Sequence, residues 1–270
     1  QMLHELAGPN GVCERLDADV PLRAAQLLER VHKIQALLIE QLPLLETMFS
    51  SEFAKFRDAL RPASGFQSVQ FRKLEFLCGN KSDKFLALVG EDDAARAEMA
   101  VFLDKPTPYD HFIRHLARED NGVFKIPREG LERDTRKPHE EDPRLVDALE
   151  LLYRKHDEWG GRGGERYYAQ FKVVEQLLEL DERFQIWRFG HVKMVERMIG
   201  SMTGTGGSSG AKYLLSTIKP FWPDLWAVRA RFGGAAVADA APADPLSPPG
   251  AKPDDPPAPA RGGCPFSGGR

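Results

Sequence analysis

The sequence predicts an all-α protein, with one helical domain over residues 1–232 and a disordered tail over residues 233–270. Two observations predict the helices and a third sets the boundary. Apolar residues recur every three or four positions, the spacing that lines one face of a helix. No stretch of length alternates apolar and polar residues as a half-buried strand does, and no repeat has a fixed period. After Phe232 the composition changes abruptly: residues 233–270 hold nine of the chain's 20 prolines and few large apolar side chains. Such a stretch buries too little surface to offset its ordering entropy.

The elements follow in order. "QMLHEL" places Met2, Leu3 and Leu6 on one side of a helix. It reads as the middle of an amphipathic segment, so further chain is expected upstream of Gln1. Leu27, Val31, Ile34, Leu38 and Leu42 mark a long helix that Pro21 opens, because a proline in the first turn gives up no ladder bond. Pro43 should kink that helix or end it near Gln41. "SSEFAKFRDAL" predicts a short helix capped by Ser50 or Ser51 and stopped by Pro62. "SGFQSVQFRKLEFLCG" predicts another, closed by Gly79. Shorter helices follow in "RAEMAVFLDK", "YDHFIRHLARE" and "PRLVDALELLYRKHDEW", with the charged "RKPHEEDP" as a surface loop. The longest helix runs from about Glu165 to Ile199.

Composition narrows the function. Hydrophobic residues make up 42% and charged residues 29% of 270 residues, as in an ordinary globular domain. A formal charge of −3 gives no basic field to attract nucleic acid or an anionic membrane, and no apolar run reaches bilayer length. Cys13, Cys78 and Cys264 form neither a disulfide framework nor a zinc pattern, which points to a reducing cytoplasm.

One stretch carries chemistry. In "WRFGHVKMVERMIGSMTGTGGSSG", Phe184, Trp187, His191, Met194, Val195 and Met198 share a helical face, so His191 is expected to point into an apolar interior. Such a histidine is either satisfied by a carbonyl or serves as an axial ligand to haem iron. The glycine run after it lacks the lysine of a phosphate loop and follows a helix, not a strand. It is either a plain connection or a loop whose N–H groups and Thr205, Ser208 and Ser209 hydroxyls meet a small polar ligand. Phe53, Arg57 and Leu60 are expected on one face of the short helix. Arg57 there either offers its fork to a carboxylate or pairs with Glu52 or Asp58 at the surface.

"WRFGHVKMVERMIGSMTGTGGSSGAKYL" resembles the proximal haem segment of tryptophan 2,3-dioxygenases. "FAKFRDALRPASGFQSVQFRKLEF" resembles that family's substrate-recognition segment, and "FWPDLWAVRARF" the ending of its bacterial members. The likeness runs from Gln1 to about Phe232 and is weaker between Glu91 and Trp159. It implies an all-α helical bundle of the tryptophan/indoleamine dioxygenase type, binding haem b and assembling as a homotetramer. His191 matches the proximal ligand of the haem iron, with Trp187 and Ser64 beside the haem. Arg57 matches the partner of the substrate carboxylate and Thr205 that of its ammonium. Phe53, Leu60, Ala63 and Ser64 match pocket positions.

The implied reaction is cleavage of the indole C2–C3 bond of L-tryptophan by O2, giving N-formylkynurenine. In the family a distal histidine and phenylalanine lie upstream of "QMLHEL", and neither His4 nor His32 matches that motif. Two other readings stay open: a haem monooxygenase acting on indole-type substrates, and a non-catalytic haem-binding relative.

Overall fold

The computed structural model describes residues 1–60, 65–89, 92–159, 166–200, 202 and 214–232. Among these residues every regular element is a helix. The expected tail, the glycine run and Glu165 lie outside them, and the longest helix begins at Tyr168 after a turn at Arg166 and Tyr167.

Two long helices organise the domain, α3 (Pro21–Leu45) and α10 (Tyr168–Ile199). Contacts along them advance together. His32 Nε2 meets the Gln176 carbonyl at 3.0 Å, Gln35 Nε2 donates to the Leu180 carbonyl at 3.0 Å, and Leu42 packs on Gly190. The pair therefore runs parallel, although 122 residues of sequence separate Leu45 from Tyr168. A Cβ on Gly190 would come within 3.0 Å of Leu42 Cδ1, so the bare glycine sets how closely the helices approach. Pro43 does not end α3 near Gln41; the helix runs on to Leu45. A proline in the last turn sacrifices one ladder bond at an exposed end, which costs less than a break in mid-helix.

The core fills the space around this pair. Leu6 of α1 (Met2–Ala7), Val12 and Leu16 of α2 (Val12–Asp17), and Leu28 and Val31 of α3 share one buried core with Val173, Val174 and Leu177 of α10. The short helix α4 (Ser50–Phe56) has Phe49 at its N-cap, not Ser50 or Ser51. Ser50 Oγ instead donates to the Arg197 carbonyl at 3.0 Å, joining α4 to α10. At Arg57 the backbone tightens into a 3-10 turn, Arg57–Leu60, so the expected single helical face is broken there.

Helix α5 (Val69–Cys78) begins later than expected, with Ser68 as N-cap accepting from the Phe71 N–H at 3.4 Å. It ends at Gly79, whose φ of +113° favours glycine. Helices α6 (Asp93–Asp104), α7 (Pro108–Arg118), α8 (Arg128–Leu131) and α9 (Pro143–Trp159) complete the wall. The "RKPHEEDP" loop is not wholly at the surface. His139 in it is buried, 3.2 Å from the Thr107 hydroxyl and 3.4 Å from Asp110, inside the capping box that starts α7. A charged stretch can pin one side chain into the core while the rest stays wet.

The last helix, α11 (Pro223–Ala227), is anchored by a buried carboxylate. Asp181 Oδ2 accepts from the backbone N–H groups of Phe221 at 2.9 Å and Trp222 at 3.3 Å, and from Trp226 Nε1 at 3.0 Å.

Candidate active site

Helix α10 places the central residue. Its buried stripe runs Leu177, Leu180, Phe184, Arg188 and Val192 at helical spacing. His191 lies on the flank of that stripe and is half-buried, not sunk in the interior as its spacing suggested. Trp187, one turn earlier, stacks on the His191 ring with centroids 5.3 Å apart and planes 13° off parallel. The Phe71 ring of α5 packs on Trp187, tilted by 44° with centroids 5.3 Å apart. Trp187 thus covers one face of the imidazole, and Phe71 backs Trp187.

Burial pushes the His191 pKa below the usual histidine range, so the ring is neutral at pH 7. Among the described residues no group hydrogen-bonds to it. A neutral imidazole with a nitrogen to spare is what an axial ligand requires. Among the described residues no group of three or more histidines, cysteines or carboxylates is arranged to hold a bare metal ion. A lone imidazole suits iron whose remaining ligands come from a porphyrin, and the apolar stack suits the flat face of that ring. These residues fit haem.

The second half of the site lies beyond the C-terminal end of α10. Arg57 is half-buried, and its Nη1 approaches Met202 Sδ at 3.8 Å. Met202 comes three residues after Ile199, where α10 ends. His191 stands eight residues before that end, about 12 Å of helix rise. The Ser50–Arg197 bond and the 3.3 Å pair Arg197–Glu46 hold the α4 segment to this part of α10. Phe53 is half-buried beside Arg57, while Leu60 is exposed. Phe53 and Arg57 are thus brought towards the end of α10. Ala63, Ser64 and Thr205 lie outside the described residues.

Two contributions were not singled out from the sequence. Phe71 completes the stack, and its signal was only an aromatic in an amphipathic helix. Arg188 pairs with Glu75 at 2.7 Å, both nearly fully buried. Its signal was a charge set in an apolar stripe, at i+4 from Phe184 and i−4 from Val192.

Known proteins can now be compared with this arrangement. The sequence model of the family described as tryptophan 2,3-dioxygenase matches residues 9–96 and 161–232, which include Arg57, Trp187 and His191. The stretch between these matches overlaps the one where the resemblance is weaker. A tryptophan 2,3-dioxygenase of Kineococcus radiotolerans is 40% identical over 233 residues, covering 86% of this chain and 77% of its own. One from Serratia proteamaculans is 38% identical over 233 residues, 86% of this chain and 78% of its own. One from Herpetosiphon aurantiacus is 41% identical over 234 residues, covering 85% and 82%. With the imidazole, its aromatic shelter and the Arg57 guanidinium all inside the segments that the family model matches, the chain belongs to the tryptophan 2,3-dioxygenase family.

Proposed function

We propose that this chain cleaves the indole C2–C3 bond of L-tryptophan with O2, placing both oxygen atoms in N-formylkynurenine, and that His191 holds the haem b it needs. The observation that carries this reading is the His191 ring: neutral, stacked on Trp187, and without a hydrogen-bond partner among the described residues. When bound, haem supplies the iron that activates O2 towards the indole.

The chain's own residues bind, orient and exclude water. Arg57 presents its planar fork to the tryptophan carboxylate, a charge-assisted and geometrically selective contact. Thr205 takes the ammonium group through its hydroxyl. Phe53, Leu60 and Ala63 supply the apolar wall against the indole, while Trp187 and Ser64 serve beside the haem, Ser64 near the substrate as well. Holding the amino acid at both charged ends fixes which indole edge faces the reacting centre, and this orientation is most of what a protein adds to cofactor chemistry.

The domain extends over residues 1–232, with 233–270 as an appended tail. No helix among the described residues is long and apolar enough to cross a membrane. The buried free thiols of Cys13 and Cys78 suit a cytoplasmic setting. A homotetramer is supported by apolar side chains left bare on the α3 end and on α10: Leu44 is 68% exposed, Phe49 73% and Phe189 51%.

The test is direct. His191→Ala should abolish the Soret band of a stoichiometric haem complex while far-ultraviolet circular dichroism stays helical. Arg57→Ala should raise the tryptophan KM by an amount worth about 2–5 kcal/mol. A retained Soret band with unchanged axial ligation, or an unchanged KM, overturns the corresponding role.

A further inference from the structure

A buried ion cluster stands behind the site without touching the proposed substrate. Arg188 on α10, and Arg72 and Glu75 on α5, are each about 95% buried or more. Arg188 Nη2 donates to Glu75 Oε1 at 2.7 Å, and its Nη1 donates to the Thr217 carbonyl. Arg72 Nη1 donates to Glu75 Oε2, and Asn80 Nδ2 to Glu75 Oε1 at 3.2 Å. The Arg188 guanidinium also lies 4.9 Å from the Phe221 ring centroid.

Stability alone does not call for this arrangement. Arg188 occupies the stripe between Phe184 and Val192, where an apolar side chain would fit, and a buried ion pair is often no more stable than its apolar replacement. What the guanidinium adds is a fixed span. Two separate nitrogens hold two acceptors on different segments in one rigid plane. One acceptor is on α5, which follows the Arg57 segment; the other is Thr217, which follows the residues around Thr205 in sequence. Arg188 itself is three residues before His191 on the same helix.

We propose that Arg188 is a positioning residue for tryptophan binding. Through Glu75 and the Thr217 carbonyl it ties α5, which follows the Arg57 segment in sequence, and the turn at Thr217 to the His191 helix. The inference rests on the functional reading above and assigns Arg188 no contact with substrate or haem.

The test compares wild type, Arg188→Met and Arg188→Lys in the haem-loaded full chain. In Arg188→Met the Glu75 carboxylate keeps Arg72 and Asn80, so it is not stranded and the protein should fold. The expected result is an unchanged Soret spectrum per chain, a tryptophan KM raised at least about tenfold, and a kcat altered much less. Amide hydrogen exchange at residues 214–217 should quicken. Lysine keeps the charge but gathers its donors on one nitrogen in place of a planar two-nitrogen fork, so Arg188→Lys should fall between the two. A KM within twofold of wild type in folded, haem-loaded Arg188→Met overturns the proposal, as does a Soret change that accompanies the KM change. Should wild type itself not turn over tryptophan, the functional reading fails; unchanged exchange at 214–217 would then overturn the tether as well, whereas faster exchange would support it.

Discussion

Removing the Asp181 carboxylate should loosen the C-terminal segment more than any other single change in the described fold. Asp181 is fully buried, and its Oδ2 accepts three donors while Oδ1 accepts Gln185 Nε2 at 3.3 Å. Asp181→Ala strands the N–H groups of Phe221 and Trp222, both buried, and frees the partly exposed Trp226 indole to find water. A stranded buried donor costs about 1–3 kcal/mol, so two of them and the cavity amount to about 3–5 kcal/mol. Asp181→Asn keeps one oxygen for the same donors and lets the Gln185 amide turn to accept, so its cost should stay below about 1.5 kcal/mol.

The two variants should also part with pH. Burial pushes the Asp181 carboxyl above its ordinary 3.8, against the pull of its donors. A raised carboxyl contributes stability that is complete below the unfolded value of 3.8 and is lost as pH rises through the folded value. Asp181→Asn should therefore gain on wild type as pH climbs from 3.8 through that folded value, because it lacks the titrating carboxyl at this position. Urea unfolding followed by far-ultraviolet circular dichroism at several pH values measures both effects. An Asp181→Ala protein within about 1 kcal/mol of wild type, or one no worse than Asp181→Asn, would refute the anchoring argument.

Other consequences are separable. Burial lowers the His191 pKa, so its imidazole stays neutral to lower pH than an exposed histidine would; a Soret titration should show haem retained when pH is lowered through 6.5 and released only below it. Gly190→Leu should drive α3 from α10 at Leu42 and destabilise by about 2–3 kcal/mol in thermal or urea melts, whereas Gly190→Ala should cost little because helix propensity offsets the tight 3.0 Å approach. Replacing Leu44 and Phe49 by glutamate on the bare apolar face should lower the oligomeric state in size-exclusion chromatography with light scattering, with no loss of helicity.

Much of this was legible in the sequence, for definite reasons. Helical spacing located α3 and α10 because long amphipathic stripes repeat over many turns. Gly79 announced the end of α5 because only a residue tolerant of positive φ closes a helix that way. The misjudged features were local competitions. Ser50 had the chemistry of a cap, but the Arg197 carbonyl took its hydroxyl. Pro43 had the chemistry of a breaker, but it fell where little remained to break. His139 sat in a charged loop, but the Asp110 carboxylate drew it into the core; burial alone would raise that carboxyl, and His139 and Arg133 hold it well below its ordinary value. The Ser50 and His139 outcomes turned on partners distant in sequence, which spacing does not report.

The histidines show how the geometry decides what spacing leaves open. His32 and His191 sit on long helices among apolar neighbours, and burial lowers the pKa of both. His32 is almost fully buried, meets the Gln176 carbonyl at 3.0 Å, and has Glu179 at 3.5 Å. Its ring nitrogens are engaged in holding α3 to α10, so it has nothing left for iron. His191 sits one step off the buried stripe, no described group hydrogen-bonds to it, and its neighbour is the flat face of Trp187. Desolvation without a compensating hydrogen bond is a standing cost for an imidazole. A structural role would have turned the ring to a carbonyl, as in His32. A neutral, sheltered ring that no described group engages stays open to a ligand, as the His32 ring does not.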